Sequence, residues 1–206
     1  MNKEGLKTIN NLMLIMEFQE YYKKFEKMQE FMVNDLRNST AKAQANFLVA
    51  MGIFNYIEIL GAFYKCNGNS TARFDFVFEN LLSAEYKNVF DNIKHIASPY
   101  SCLRCGMVHD YFVETYFKKN DFKISYEIKG VDSEDKYDTC VSDKLCGLEF
   151  IKINQSSYQI IIYNPRFVYD LNHAFELYKS KLASDFSDYR ENFIKRCEEI
   201  KIENFN

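Results

Sequence analysis

The run FLVAMGIFNYIEILGAFY at residues 47–64 limits the possible folds more than any other part of the chain. Ala50, Ile53, Ile57, Leu60 and Tyr64 step by three and four residues and form one helical face, while Phe47, Met51 and Phe54 form another. A helix apolar on two faces can bury both only in the middle of a bundle. Asn55 and Glu58 interrupt the run, and it is short for a bilayer span. A buried helix over about residues 41–65 is expected, with no membrane partner.

Helical partners for it are legible on both sides. Over residues 6–36, Ile15, Phe18, Tyr22, Phe25, Met28 and Met32 lie on one stripe, with Glu, Lys and Gln opposite. Asn38-Ser39-Thr40 reads as a break that caps the next helix. Cys66-Asn67-Gly68-Asn69-Ser70 is a turn by composition. Further helices are expected at about 71–82, with Phe74, Val77, Phe78 and Leu81 buried, and at 85–97. Ser98-Pro99 then has the cap-plus-proline form of a helix start and launches a helix to about residue 117. Beyond Lys118-Lys119-Asn120 the apolar period drops to two: Phe122, Ile124, Tyr126 and Ile128 alternate with polar residues. Residues 148–153 and 158–163 are two further β-prone runs, and the polar, acidic stretch 129–143 reads as a mobile loop. Asn164-Pro165 repeats the helix-start signal ahead of Phe167, Leu171, Phe175, Tyr178 and Leu182, and a last amphipathic helix covers 189–200. The expected architecture is mainly α: one domain over residues 1–206, a helical bundle carrying a small antiparallel β insertion at about 122–163.

With 206 residues, 47% of them apolar and 27% charged, the chain has enough material for a core without disulfide staples. Its six cysteines are scattered, and Met1–Leu6 is polar with no secretory pattern after it, so reduced thiols in a cytoplasmic protein are expected. The formal net charge of -3 is the reverse of a basic nucleic-acid binder. An RNA partner would therefore have to be met by a local cationic cluster or by the paired surfaces of two subunits.

The segment 100–112, YSCLRCGMVHDYF, carries the chemistry. Arg104, four intervening residues and His109 resemble the R-x(4-6)-H motif of the HEPN superfamily (higher eukaryotes and prokaryotes nucleotide-binding). The run from Leu103 to Tyr111 and the order of helices before it resemble that family over most of residues 1–117, and the terminal helices over 164–200 more loosely. The resemblance implies a helical bundle of four to six helices, metal-independent endoribonuclease activity without a cofactor, and a homodimer in which two motifs line one cleft. It also implies a role in toxin–antitoxin or antiviral defence, with an antitoxin or other regulatory protein as partner. The residue types suit RNA cleavage without a metal. Histidine, with an unperturbed pKa of about 6.5, can take the 2′-hydroxyl proton, and arginine grips phosphate oxygens as a fixed cation. On a regular α-helix residues five apart differ by about 140° around the axis. The residue stacked with His109 is therefore Cys105, a supporting position where the family usually has Asn, Asp or His.

Two other readings of the same residues stay open. One is a catalytically inactive HEPN-like module that binds RNA, a nucleotide or a protein. The other is a structural helical interaction protein in which Arg104 pairs with a carboxylate such as Glu58 or Asp110 and His109 is a core residue. Cys102 and Cys105 form a C-x-x-C pair that Cys140 and Cys146 could complete as a zinc set, but the second spacing is too long and the first pair lies in a helix. Buried thiols acting as small hydrophobes are the expected state, with no metal bound. Glu58 and Arg73 are candidates to face the same cleft as His109.

Overall fold

The computed structural model describes residues 3–65, 67–106, 114–117, 121–184 and 188–202. In chain order these form α1 (Lys3–Ala41), α2 (Asn46–Tyr64), α3 (Ser70–Asn80), α4 (Ala84–Lys94), a π-helical segment (Tyr100–Cys105), β1 (Glu114–Phe117) and β2 (Phe122–Lys129). A short 3₁₀ turn (Glu134–Lys136) leads into α5 (Tyr137–Ser142). Then come β3 (Leu148–Asn154), β4 (Ser157–Tyr163), α6 (Asn164–Ser184) and α7 (Asp188–Glu199).

α2 lies where its pattern demands. Val49, Ala50, Ile53, Phe54, Ile57, Leu60, Ala62 and Phe63 are buried, and α1, α3, α6 and α7 all pack against it. The second face is less covered than its composition suggests: Phe47 and Met51 are half-buried and Leu48 is exposed. Among the described residues α2 is the one helix long and apolar enough to cross a membrane, and half of that stretch is buried within the protein. Its neighbours pack against it through aromatic rings. Phe25 of α1 meets Phe63 at 4.8 Å, Phe193 at 5.5 Å and Tyr178 at 5.8 Å between ring centres, and Phe54 meets Phe167 edge-on at 5.6 Å. Such offset and edge contacts contribute about 0.5–1.5 kcal/mol each beyond area burial.

α1 runs through Asn38-Ser39-Thr40 instead of breaking there. The Thr40 hydroxyl donates to the Leu36 carbonyl at 2.8 Å, inside the helix, so the group expected to cap a new helix satisfies the old one. Thr40 and Ala41 are buried, and Ala41 joins Val131, Tyr137 and Val141 in a small second core. That core also explains why the expected loop at 129–143 is ordered: Tyr137 and Val141 give α5 an apolar side, and the Tyr137 hydroxyl donates to the Pro165 carbonyl at 3.4 Å.

The sheet has the order β1-β2-β4-β3. It is mixed, not antiparallel. β1 pairs with β2 and β3 with β4 in antiparallel fashion, but the central β2–β4 pair is parallel, from Lys123 opposite Ser157 to Lys129 opposite Tyr163. α5 occupies the connection after β2 and delivers β3 to the far edge. The turn at Gln155-Ser156, with the Ser156 amide donating to Asn154 Oδ1 at 3.0 Å, then folds β4 back into the space beside β2. Parallel neighbours need a long crossover of this kind.

The close approach of α2 and α3 fixes where Glu58 points. A Cβ on Gly61 would lie 2.0 Å from the Arg73 carbonyl oxygen, whereas one on Gly52 would meet only the flexible tip of Leu36. Gly61→Ala therefore trades about 1 kcal/mol of helix propensity for about 3 kcal/mol of overpacking against backbone that cannot retreat. Urea denaturation is expected to show Gly61→Ala destabilised by about 2 kcal/mol and Gly52→Ala by clearly less. Equal midpoints for the two variants would contradict this account of the helix crossing.

Candidate functional site at the π-helical turn

Ser98-Pro99 does start a helical segment: the Cys102 amide donates to the Ser98 carbonyl at 3.0 Å, and the Ser101 amide approaches the Ser98 hydroxyl at 3.4 Å. That segment is not the regular α-helix expected to reach about residue 117. Tyr100–Cys105 winds as a π-helix, and Glu114–Phe117 is already strand β1, paired with Phe122–Ser125 of β2. The β-prone run Thr115-Tyr116-Phe117 finds a ladder partner immediately downstream, and that strand pairing overrides helical continuation. Phe117 stacks on Phe122 with ring centres 4.8 Å apart. π-Helical turns are rare and concentrate at functional sites, and this one contains Arg104.

β2 holds the wide turn in place. The Tyr126 hydroxyl donates to the Cys102 carbonyl at 2.7 Å, serving a buried backbone acceptor. Gly106 passes beneath the same hydroxyl, where a Cβ would come within 2.7 Å of it.

On the other side of the turn, Tyr100 and Arg104 both reach Glu58 of α2. The Tyr100 hydroxyl donates to Glu58 Oε2 at 3.3 Å, and Arg104 Nε lies 3.5 Å from the same oxygen. Arg104 and Glu58 side chains are 20% and 21% exposed. Arg104 Nε is buried, and among the described residues it has no aligned hydrogen-bond acceptor. The contact is thus a charge pair by distance without a directed bond, on a side chain that is 20% exposed. Burial above all raises the Tyr100 pKa, with a hydrogen bond from Ser70 opposing and Glu58 reinforcing the shift. The phenol stays protonated and remains a donor to the carboxylate. Tyr100 also packs edge-on against Phe74 at 5.5 Å.

Of the residues singled out in the sequence, the fold brings together Arg104, Glu58 and the neighbouring Cys105, which is half-buried. His109 and Asp110 lie outside the described residues. Arg73 does not join the cluster by its Nε, which points at the Lys65 carbonyl 3.4 Å away, at the end of α2. Cys102 is buried, and burial pushes its thiol up to about 12; Cys146 is likewise buried and raised to about 12. Among the described residues no group of three or more His, Cys, Asp or Glu side chains is placed to hold a metal ion.

Sequence reasoning missed a second polar cluster. The fully buried Tyr86 of α4 donates to Asp170 at 2.8 Å and accepts from the Gly147 amide at 2.8 Å, and Arg166 Nε donates to the same Asp170 oxygen at 2.8 Å. The i, i+4 spacing of Arg166 and Asp170 was a legible signal; the tyrosine from a distant helix was not. No family model, no curated protein and no solved structure matches the chain.

Two measurements test this geometry. A double-mutant cycle on Glu58→Gln and Arg104→Gln is expected to give a coupling of about 0.5–1 kcal/mol in unfolding free energy, since the pair is close but not hydrogen-bonded. Zero coupling would place the two groups apart in solution. With thiols near 12, only about one in 10⁴ Cys102 or Cys146 side chains is ionised at pH 8. Thiol labelling of native protein, read by mass spectrometry, should leave both unmodified until denaturant is added, and rapid native labelling of Cys102 would refute its burial.

Proposed function

We propose that the chain is a HEPN-like, metal-independent endoribonuclease acting in the cytoplasm as a homodimer, with Arg104 and His109 as its catalytic pair. The observation that supports it is the π-helical placement of Arg104, with Glu58 3.5 Å from its Nε and its side chain 20% exposed. A cation oriented before the substrate arrives stabilises developing charge without reorganisation.

In this reading His109 accepts the proton of a ribose 2′-hydroxyl, and the 2′-oxygen attacks the adjacent phosphorus. The bond from phosphorus to the 5′-oxygen breaks, leaving a 2′,3′-cyclic phosphate and a 5′-hydroxyl that takes up a proton. Arg104 bears the extra negative charge of the five-coordinate state. Pairing two subunits would double that cationic charge, which suits a chain whose own net charge is -3. A toxin or defence effector of this kind needs restraint, and an antitoxin or other regulatory protein fits that need.

The Arg104–Glu58 pair is the one expected of a structural interaction protein, and it also suits a catalytically inactive HEPN-like module that binds RNA, a nucleotide or a protein. Glu58 offsets the charge that a phosphate would seek, and Cys105 is a weaker orienting partner for an imidazole than an amide or carboxylate. Incubating purified protein with total RNA in EDTA separates these from the enzyme. Cleavage by wild type, with a loss of about 10²-fold or more in His109→Ala and in Arg104→Gln, is the enzyme's expected outcome. Absence of cleavage by wild type, or equal cleavage by His109→Ala, would leave the inactive module and the structural interaction protein.

A further inference from the structure

α1, α5 and α6 enclose a pocket of about 420 Å³, within the size range of small-molecule sites. It shares no residue with the Arg104 cluster and stands or falls independently of the ribonuclease reading. Two arginines line it, one from each long helix: Arg37 lies 5.2 Å above the Tyr137 ring and Arg166 lies 5.4 Å from the Tyr169 ring.

The two are held very differently. Arg166 ends a chain of buried groups that begins in the core, running from the Gly147 amide through the Tyr86 hydroxyl to Asp170. Its Nε is locked on Asp170, and its Nη1 donates to the Val141 carbonyl at 3.3 Å. Burying a phenol and a carboxylate is costly unless each is paired, and here the pairing fixes the guanidinium before any ligand arrives. The Arg37 side chain, by contrast, is 59% exposed, and its ion pair is a 3.9 Å approach to Asp138, whose side chain is 92% exposed. One arginine is preset and the other has room to swing.

Planar guanidinium forks on one cavity select an anion that offers several oxygens. Asp170 offsets part of the Arg166 charge and Asp138 competes for Arg37, so a singly charged carboxylate gains little. A phosphomonoester brings nearly two charges and three acceptor oxygens, enough to engage both arginines. Asn172 also lines the pocket; its Oδ1 accepts from Gln29 at 2.9 Å, which leaves its amide nitrogen as the group to offer a ligand. The Tyr169 ring, 44% exposed, supplies flat apolar surface, while Tyr137 is buried beneath Arg37.

We propose that this pocket binds a small phosphomonoester, with its phosphate between Arg37 and Arg166 and its body against Tyr169. Isothermal titration of the full chain with phenyl phosphate, inorganic phosphate and benzoate tests it. Phenyl phosphate should bind best, and inorganic phosphate more weakly for want of a body. Benzoate should bind at least about tenfold more weakly than phenyl phosphate, having one charge and two oxygens. Arg37→Gln should weaken phenyl phosphate about tenfold, and Asp138→Asn should tighten it a few-fold by removing the competing carboxylate. A gain of affinity cannot come from a misfolded variant, so the Asp138 arm stands even if others are destabilised. No heat up to about 10 mM phenyl phosphate, benzoate binding equally well, or no change in either variant would overturn the proposal.

Discussion

Everything else in this protein is arranged around a helix that has to be buried. α2 carries apolar residues around most of its circumference, and its neighbours pack so tightly that at Gly61 a single added carbon would collide with the Arg73 backbone. Protein interiors at crystal-like density transmit such constraints over distance. The close crossing sets the rotation of α2, and that rotation decides that Glu58 meets the π-helical turn. Phe25, Phe63 and Phe193 interlock on one side of α2, and Phe54, Phe74 and Phe167 on the other. Phenylalanine supplies this packing without the buried polar atom that tryptophan or tyrosine would need to satisfy.

Polar groups inside such a core must be paired, and the two clusters show two ways of doing it. Around Asp170 every contact is a directed bond of 2.8 Å, which joins α4, the turn before β3 and α6 into one frame. Around Glu58 the contacts are longer, 3.3 and 3.5 Å, and among the described residues Arg104 Nε has no aligned acceptor. A network of short bonds with every donor matched stabilises and specifies the fold. A looser pair next to a π-helical turn stores unmet hydrogen-bonding capacity, which is the condition expected of groups that change partners when a ligand binds.

Periodicity made the helices legible, because stripes such as Phe18, Phe25, Met28 and Met32 or Phe167, Leu171, Phe175 and Tyr178 face the core as their spacing requires. Failures fell where tertiary pairing outweighed local preference. Thr40 reads as a cap yet bonds backward into its own helix, and residues 114–117 fall within the helix expected from Ser98-Pro99 yet pair with β2. The parallel β2–β4 register was invisible because it depends on α5, whose two buried residues are hidden in an acidic stretch. At the site, Arg104 was legible from its motif and Glu58 from being a charge on an apolar helix. Tyr100 as their third member was not singled out, although its i, i+4 spacing puts it on the same helical face as Arg104. The role of Arg37 and Arg166 was hidden because one pocket is built from residues more than a hundred positions apart.

The acidic balance of the chain bears on how any phosphate could be recruited. With 29 carboxylate residues against 26 Lys and Arg, long-range attraction of a polyanion is weak. Many of the cations are also engaged close by, as in Lys94 with Glu79, Lys123 with Glu114 and Lys144 with Glu149. In either proposal, phosphate recognition would have to come from short-range geometry, where bidentate bonds to a partly desolvated guanidinium outweigh a single off-axis contact to a carboxylate. In the ribonuclease proposed above, Glu58, at 3.5 Å and without alignment, would be a partner that such a phosphate displaces from Arg104. The same asymmetry, a carboxylate that orients without saturating, recurs at Arg37 and Asp138, where the gap is 3.9 Å. If both proposals hold, the carboxylate in each place would make phosphate entry conditional on exchange, and selectivity would arise from competition between two anions for one arginine.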